Sequence, residues 1–166
     1  REAWRLLERN YERVLAQPSD LEARGAMQLG AYFAGVAIEN SMLGATHACA
    51  NPLTTHYGTA HGAGIAMLLP SVVRWNGPIA GVRYAELLDL STASAESEGI
   101  DATERLAQRL EQLATQAGLH ISLSAAGVRQ SDLPILSGEA AAQWTGSFNP
   151  RPFDKAGAME VYQWAF

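Results

Sequence analysis

Only one cysteine, Cys49, occurs in the 166 residues, so no disulfide can close within the chain, and such usage fits a reducing compartment. Cys49 lies among alanines, where it reads either as a small buried hydrophobe or as a nucleophile. One lysine, Lys155, leaves arginine to carry nearly all of the positive charge, and the net charge is −5. That mildly acidic balance argues against nucleic acid or an anionic membrane as the main partner. No basic segment followed by a short apolar stretch opens the chain, and no run of about 18 apolar residues appears. The expectation is a soluble, cytoplasmic protein. Arg1 enters directly into helical periodicity without a methionine or a cap, the pattern expected of a piece of something longer. Also missing are an alternating strand pattern, a βαβ rhythm, GxGxxG and the Walker pattern. His61-Gly62-Ala63-Gly64 only faintly resembles a phosphate loop, because no strand precedes it. What these absences leave is a single all-α domain over residues 1–166, a multi-helix bundle of about seven to nine helices. The 48% hydrophobic composition suffices for one core.

Trp4, Leu7, Tyr11 and Val14 repeat at helical spacing and predict a first helix that ends before Pro18. Its Arg1, Arg5, Arg9 and Arg13 interleave with Glu2, Glu8 and Glu12, which reads as a solvated, self-paired face. Ser19-Asp20-Leu21-Glu22 has the form of a capping box. The helix it starts, to about Ile38, is apolar on every side from Ala31 onward, which predicts the central helix of the domain. Gly25, Gly30 and Gly35 within it suggest close packing of neighbouring backbones. A further helix runs from near Leu43 to Pro52, and another from about His61, with a kink at Pro70 and a stop at Asn76-Gly77-Pro78. A short helix carries Tyr84, Leu87 and Leu88, and residues 91–99 read as an exposed polar loop. Asp101 with Glu104 caps the next helix, which Gly118 ends. Short helices follow, bounded by Asp132-Leu133-Pro134, Ser137-Gly138 and Asn149-Pro150-Arg151-Pro152.

Histidine is scarce, four in all, yet three of them lie between Thr46 and Gly62. On one straight helix His47 and His61, fourteen residues apart, would share a face but stand about 21 Å from each other. A metal–nitrogen bond is about 2 Å, so one ion can join them only if the chain turns back between them. Pro52 and Gly58 supply breakers in that interval. Two imidazoles do not complete a site, and His56 and Glu39 are the nearby candidates for more. The alternative is that each histidine is an ordinary hydrogen-bonded core or surface residue.

Four ordered stretches carry a resemblance: Gly30-Ala31-Tyr32-Phe33-Ala34-Gly35, Gly44-Ala45-Thr46-His47-Ala48-Cys49-Ala50-Asn51-Pro52-Leu53, Tyr57-Gly58-Thr59-Ala60-His61-Gly62, and Leu68 through Asn76. Together with Asn149-Pro150-Arg151 and the closing Val161-Tyr162-Gln163-Trp164, they resemble the C-terminal helical domain of the iron-containing (group III) alcohol dehydrogenases, a dehydroquinate synthase-like fold. The resemblance implies a two-domain enzyme whose N-terminal α/β domain binds NAD or NADP. It also implies a divalent metal, iron first and zinc second, held by an aspartate and three histidines. His47 and His61 match the last two histidines; the other two ligands and the nucleotide-binding domain would precede Arg1.

Many members carry a non-ligating histidine four residues after the first of this pair, near the nicotinamide. Asn51 stands there, and an amide hydrogen-bonds but does not titrate near neutral pH. Proton relay at Asn51 is thereby in doubt; His56 is the candidate substitute, and an amide bonded to the chain near Pro52 is the structural alternative. The implied reaction is hydride exchange between a small alcohol or aldehyde and the nicotinamide, with the metal polarising the oxygen. Phe33, Met42, Leu43, Trp75, Trp144 and Phe148 are candidates for an apolar substrate wall, or else ordinary core. The resemblance also allows a homodimer. Two other readings remain: a non-catalytic helical binding or assembly module of the same fold, and a maleylacetate-reductase-like or glycerol-dehydrogenase-like member. The isolated chain is expected to be inactive.

Overall fold

The computed structural model describes residues 1–92 and 99–166. Among the described residues there are seven α-helices: α1 Glu2–Ala16, α2 Leu21–Ser41, α3 Ala45–Tyr57, α4 His61–Leu88, α5 Ala102–Gln116, α6 Leu133–Ala141 and α7 Lys155–Trp164, with 3-10 turns at Gln130–Asp132 and Trp144–Phe148. The expected all-α bundle is what forms. Of the polar loop expected over 91–99, residues 93–98 lie outside the described residues, and Ser91 at its edge is buried.

The starts and stops of α5 follow its sequence signals: the Asp101 carboxylate accepts from the Glu104 amide, and Gly118 adopts the left-handed backbone that ends the helix. The α2 cap is displaced by one residue. Asp20, not Ser19, is the N-cap and accepts from the Ala23 amide at 3.0 Å.

Two helices are apolar nearly all round, and only one is central. α4 packs on α3, α5 and α7 and buries Met67, Leu68, Val72, Val73 and Trp75. The expectation of a central α2 is overturned. It packs mainly on α1, buries only Ala23 and Gly30, and leaves Tyr32, Val36 and Ile38 exposed. Of its three spaced glycines, only Gly30 makes a close approach: a Cβ there would meet Leu7 at 2.8 Å, whereas Gly25 and Gly35 face open space.

The helix breakers of α4 do not break it. The helix keeps the buried Pro70 inside it and runs on through the expected stop at Asn76-Gly77-Pro78, where tertiary contacts use Asn76 and Gly77. Asn76 and Asn149 exchange amide hydrogen bonds at 2.8 and 3.2 Å. A Cβ on Gly77 would come within 2.7 Å of Thr103, so its absence lets α5 lie against α4. The helix at 84–88 is therefore the end of α4 rather than a separate element. Likewise α6 runs through Ser137-Gly138, with Ser137 buried against its neighbours and its hydroxyl satisfied by the Leu133 carbonyl one turn back, at 2.6 Å.

The main core gathers Cys49 and Leu53 of α3, Leu68 and Trp75 of α4, Leu136 of α6, and Val161 and Tyr162 of α7. Burial pushes the Cys49 thiol up to about 12, so it is a core hydrophobe rather than a nucleophile. A second cluster, Val73, Leu88, Leu106 and Ala107 with Trp4 against it, joins α1, α4 and α5. Beside it Glu8, expected on a solvated face, is buried and paired with Arg109 of α5. Glu12 also reaches Arg109, and the contacts within the arginine and glutamate series of α1 itself, such as Arg5 with Glu2, lie on the surface.

Candidate metal centre

The reversal that joins the histidines is made by three residues. α3 continues through Pro52 to Tyr57, so the proline is not the break that was expected; Pro52 is buried within the helix. Gly58, at φ 63°, caps α3 in the left-handed region, where a side chain would be strained. The segment 58–60 then runs back beside α3, and α4 starts next to its first half. A Cβ on Gly64 would lie 3.6 Å from that of Ala50. His61 opens α4 and His47 sits in the first turn of α3, and their ring centroids are 5.3 Å apart with the planes tilted by 47°.

The start of α3 is held from far along the chain. Gly44 is its N-cap and offers no side chain, and the Asn149 side-chain carbonyl accepts from the Ala45 amide at 3.3 Å. Asn149 also donates to the Arg151 carbonyl, while Arg151 lies 4.0 Å over the Trp75 ring and donates to its carbonyl. The Asn149-Pro150-Arg151 element thus fixes the turn that carries His47.

Two imidazoles binding one ion at ~2.1 Å, with a near-tetrahedral angle between them, have ring centres ~5 Å apart. The observed separation fits that arrangement. His47 is half-buried and its pKa is lowered, by burial first and by His61 second, which favours the neutral ring whose lone pair a cation needs. Neither ring meets a hydrogen-bond partner among the described residues, and no group of three or more His, Cys, Asp or Glu side chains there could hold an ion. Two imidazoles by themselves do not complete a metal site.

His56 does not join it. Nine residues after His47, it lies on the opposite side of α3 and its Nε2 meets both carboxylate oxygens of Glu139 on α6 at 2.8 and 2.9 Å. Glu39 is exposed near the end of α2. Asn51, one turn after His47 on the same face, donates to Gln143 Oε1 at 3.0 Å rather than to the chain near Pro52. No local pattern pointed to Gln143, which is 92 residues away.

The wall candidates separate. Trp75 is 2% exposed, meets Phe153 edge-on, and donates to Glu160, so it is core and not wall. Phe33 is half-buried against Tyr32. Trp144 and Phe148 are exposed and meet edge-to-face at 5.9 Å on the 3-10 turn that packs against α3. Phe148 lines an open cleft of about 500 Å³ with Met42, Leu43, Gly44, Ile79 and Arg83. Met42 there holds φ 78° and ψ 177°, a conformation that belongs almost entirely to glycine.

The whole chain, residues 1–166, matches the model of the Fe-containing alcohol dehydrogenase family, C-terminal. A 1,3-propanediol dehydrogenase of Citrobacter freundii is 30% identical over 166 residues, which are 99% of this chain and 43% of the relative. Lactaldehyde reductase of Escherichia coli (strain K12) is 31% identical over 148 residues, 89% of this chain and 39% of that one. The crystal structure of a 1,3-propanediol oxidoreductase matches with a TM-score of 0.91 at 29% identity, over 99% of this chain and 44% of that one. The chain spans less than half the length of these relatives.

Proposed function

The chain belongs to the iron-containing alcohol dehydrogenase family, and from that premise we propose that it is the C-terminal domain of a metal-dependent, NAD(P)-linked alcohol dehydrogenase or aldehyde reductase to which it contributes two metal ligands, His47 and His61. The observation that carries the reading is the 5.3 Å separation of two rings fourteen residues apart in sequence. Iron(II) is the first choice of ion and zinc the second, since imidazole suits both. A divalent ion bound there would polarise an alcohol or carbonyl oxygen as a Lewis acid. The remaining ligands and the nucleotide-binding domain are assigned to the part of the enzyme that this chain does not span.

The chain's own residues have three tasks in this reading. His47 and His61 present imidazole nitrogens, one from each side of the Gly58 reversal. Asn149 and Arg151 hold the α3 start so that the rings need no rearrangement to bind. Trp144 and Phe148 offer an apolar wall for the substrate from the 3-10 turn that packs against α3. Asn51 does not titrate, so a proton exchanged during the reaction has to travel by another group or by water.

The test is metal content and turnover of the full-length enzyme against a panel of alcohols and aldehydes with both nucleotides. Stoichiometric iron or zinc, lost in His47→Ala and His61→Ala, is the expected outcome. Full metal content in either variant defeats the ligand assignment. The 166 residues alone are expected to show no NAD(P)H-dependent turnover.

A further inference from the structure

The second half of α2 stands uncovered. No charged residue lies between Leu29 and Ile38, and every residue from Gly35 to Met42 is exposed, Val36, Ala37 and Ile38 included. Leu29, Tyr32 and Val36 recur at helical spacing and form one stripe, 46%, 64% and 42% exposed in turn. The stripe faces away from α1, since Tyr32 is two residues on from Gly30, on which Leu7 packs. An apolar helix end with water on every side lacks the burial that holds helices in proteins, and such a patch marks a contact surface. Its place is specific. α1 and α2 run antiparallel with Leu7 against Gly30, and as many residues separate Arg1 from Leu7 as Gly30 from Val36. The start of α1 therefore comes level with Val36, and the last turns of α2 project beyond it. From there Met42-Leu43-Gly44 leads into the α3 turn that carries His47.

We infer that the Leu29–Tyr32–Val36 stripe and the projecting end of α2 are the docking surface for the enzyme's own chain directly ahead of Arg1, which lies along them and covers them. The chain matches the C-terminal part of its family and spans 43% of the Citrobacter freundii relative, so more than half of an enzyme of that length precedes it. That part joins at Arg1, level with Val36, and so arrives beside the apolar surface without a long connection. Segments that meet over a short connection lose little entropy in packing together. The stripe carries no charge, which suits an apolar helix face and neither nucleic acid nor an anionic membrane surface. Gly35, whose added Cβ would meet nothing within 4 Å, lets the covering backbone approach closely. The inference rests on the proposed function, since it takes this chain to be one part of a longer enzyme. It adds where the parts meet: on the stretch of α2 that runs, through the strained Met42, to the histidine pair.

The experiment is photo-crosslinking in the full-length holoenzyme carrying Tyr32→p-benzoylphenylalanine, which keeps a para-substituted ring at that position. The expected product runs at the mass of one chain on a denaturing gel, and its linked peptide maps ahead of Arg1. A product at the mass of two chains assigns the surface to a second copy and overturns the inference. So does a link confined to residues 1–166, a link to any other molecule, or irradiation that links nothing. Val36→Cys, close to valine in shape, serves where the larger ring disturbs folding. A thiol reagent is expected to modify it at least about tenfold more slowly in the native enzyme than in the urea-unfolded one. Equal rates in the two states overturn the inference. Failure of the proposed function reads differently: it is absence of bound metal in wild type, found by elemental analysis, wherever the crosslinks fall.

Discussion

Glu8 with Arg109 forms one polar centre of this chain and His47 with His61 forms another, and the two are finished to different degrees. Glu8 is 2% exposed, and its carboxylate accepts from the Arg109 guanidinium at 2.7 Å and from the Thr92 amide and hydroxyl at 3.0 Å each. Arg109 also reaches Glu12 at 2.9 Å. Both buried charges of that centre are paired, and it ties α1 to α5 and to the end of the segment after α4. The imidazoles are held as firmly by their backbones, through Gly58 and Asn149, but their nitrogens meet no protein partner among the described residues. A polar group with its partners in place serves the fold. The exposed His61 and half-buried His47 keep ring nitrogens free for a ligand, which is the role proposed for them above.

The contrast breaks most visibly at His61. In the full-length protein His61→Ala should drop bound metal to background and turnover by at least about a hundredfold, while unfolding of the metal-free protein changes little. Elemental analysis beside a urea melt reads both. A large loss of metal-free stability would mean that the ring belongs to the fold. The mirror experiment is Glu8→Ala, which leaves the buried Arg109 with only the half-exposed Glu12 as its partner and should cost about 3 kcal/mol. A loss well under 1 kcal/mol in equilibrium unfolding would remove Glu8 from the structural class.

Smaller effects sharpen the same division. Met42 adopts a glycine-like backbone at the edge of the cleft beside Phe148, so Met42→Gly should stabilise the chain by about 1 kcal/mol. If turnover falls while stability rises, the strain serves the site. At the α3–α6 junction the Tyr57 hydroxyl, first, and Arg129 hold the Asp132 carboxyl down at about 2. The stability this gives is complete above the unfolded pKa near ~4 and is lost as pH falls from there toward the folded value. Asp132→Asn should therefore flatten the acid limb of a pH–stability curve between those values and leave neutral pH stability to the uncharged hydrogen bonds. An acid limb identical to wild type would assign that part of the curve to other carboxylates.

Much of the bundle was legible in local signals. The Asp101 cap, the Gly118 stop and the Gly58 reversal are decided by which backbone angles and hydrogen bonds a residue allows within one turn of itself. His47 and His61 were legible as a pair because their spacing demanded a reversal and a glycine stood in the interval. The misreadings share one cause. Pro52, Asn76-Gly77-Pro78 and Ser137-Gly138 look like breaks when only neighbours are counted, and each sits inside a helix packed on several others. His56 looked like a further ligand by proximity in sequence, but its direction from α3 turns it to Glu139.

The amino-acid sequence by itself determined the helical class, most helix limits and the segment in which two imidazoles could meet, because those depend on interactions spanning a few residues. Only the tertiary structure decided that α4 rather than α2 occupies the centre, that Glu8 is buried while Glu2 is not, and that Asn51 is answered by Gln143. An apolar helix is buried only if other elements have surface to lay against each of its sides. A polar side chain is finished only by partners that the fold brings from far along the chain, and neither condition is written in the residues next to it.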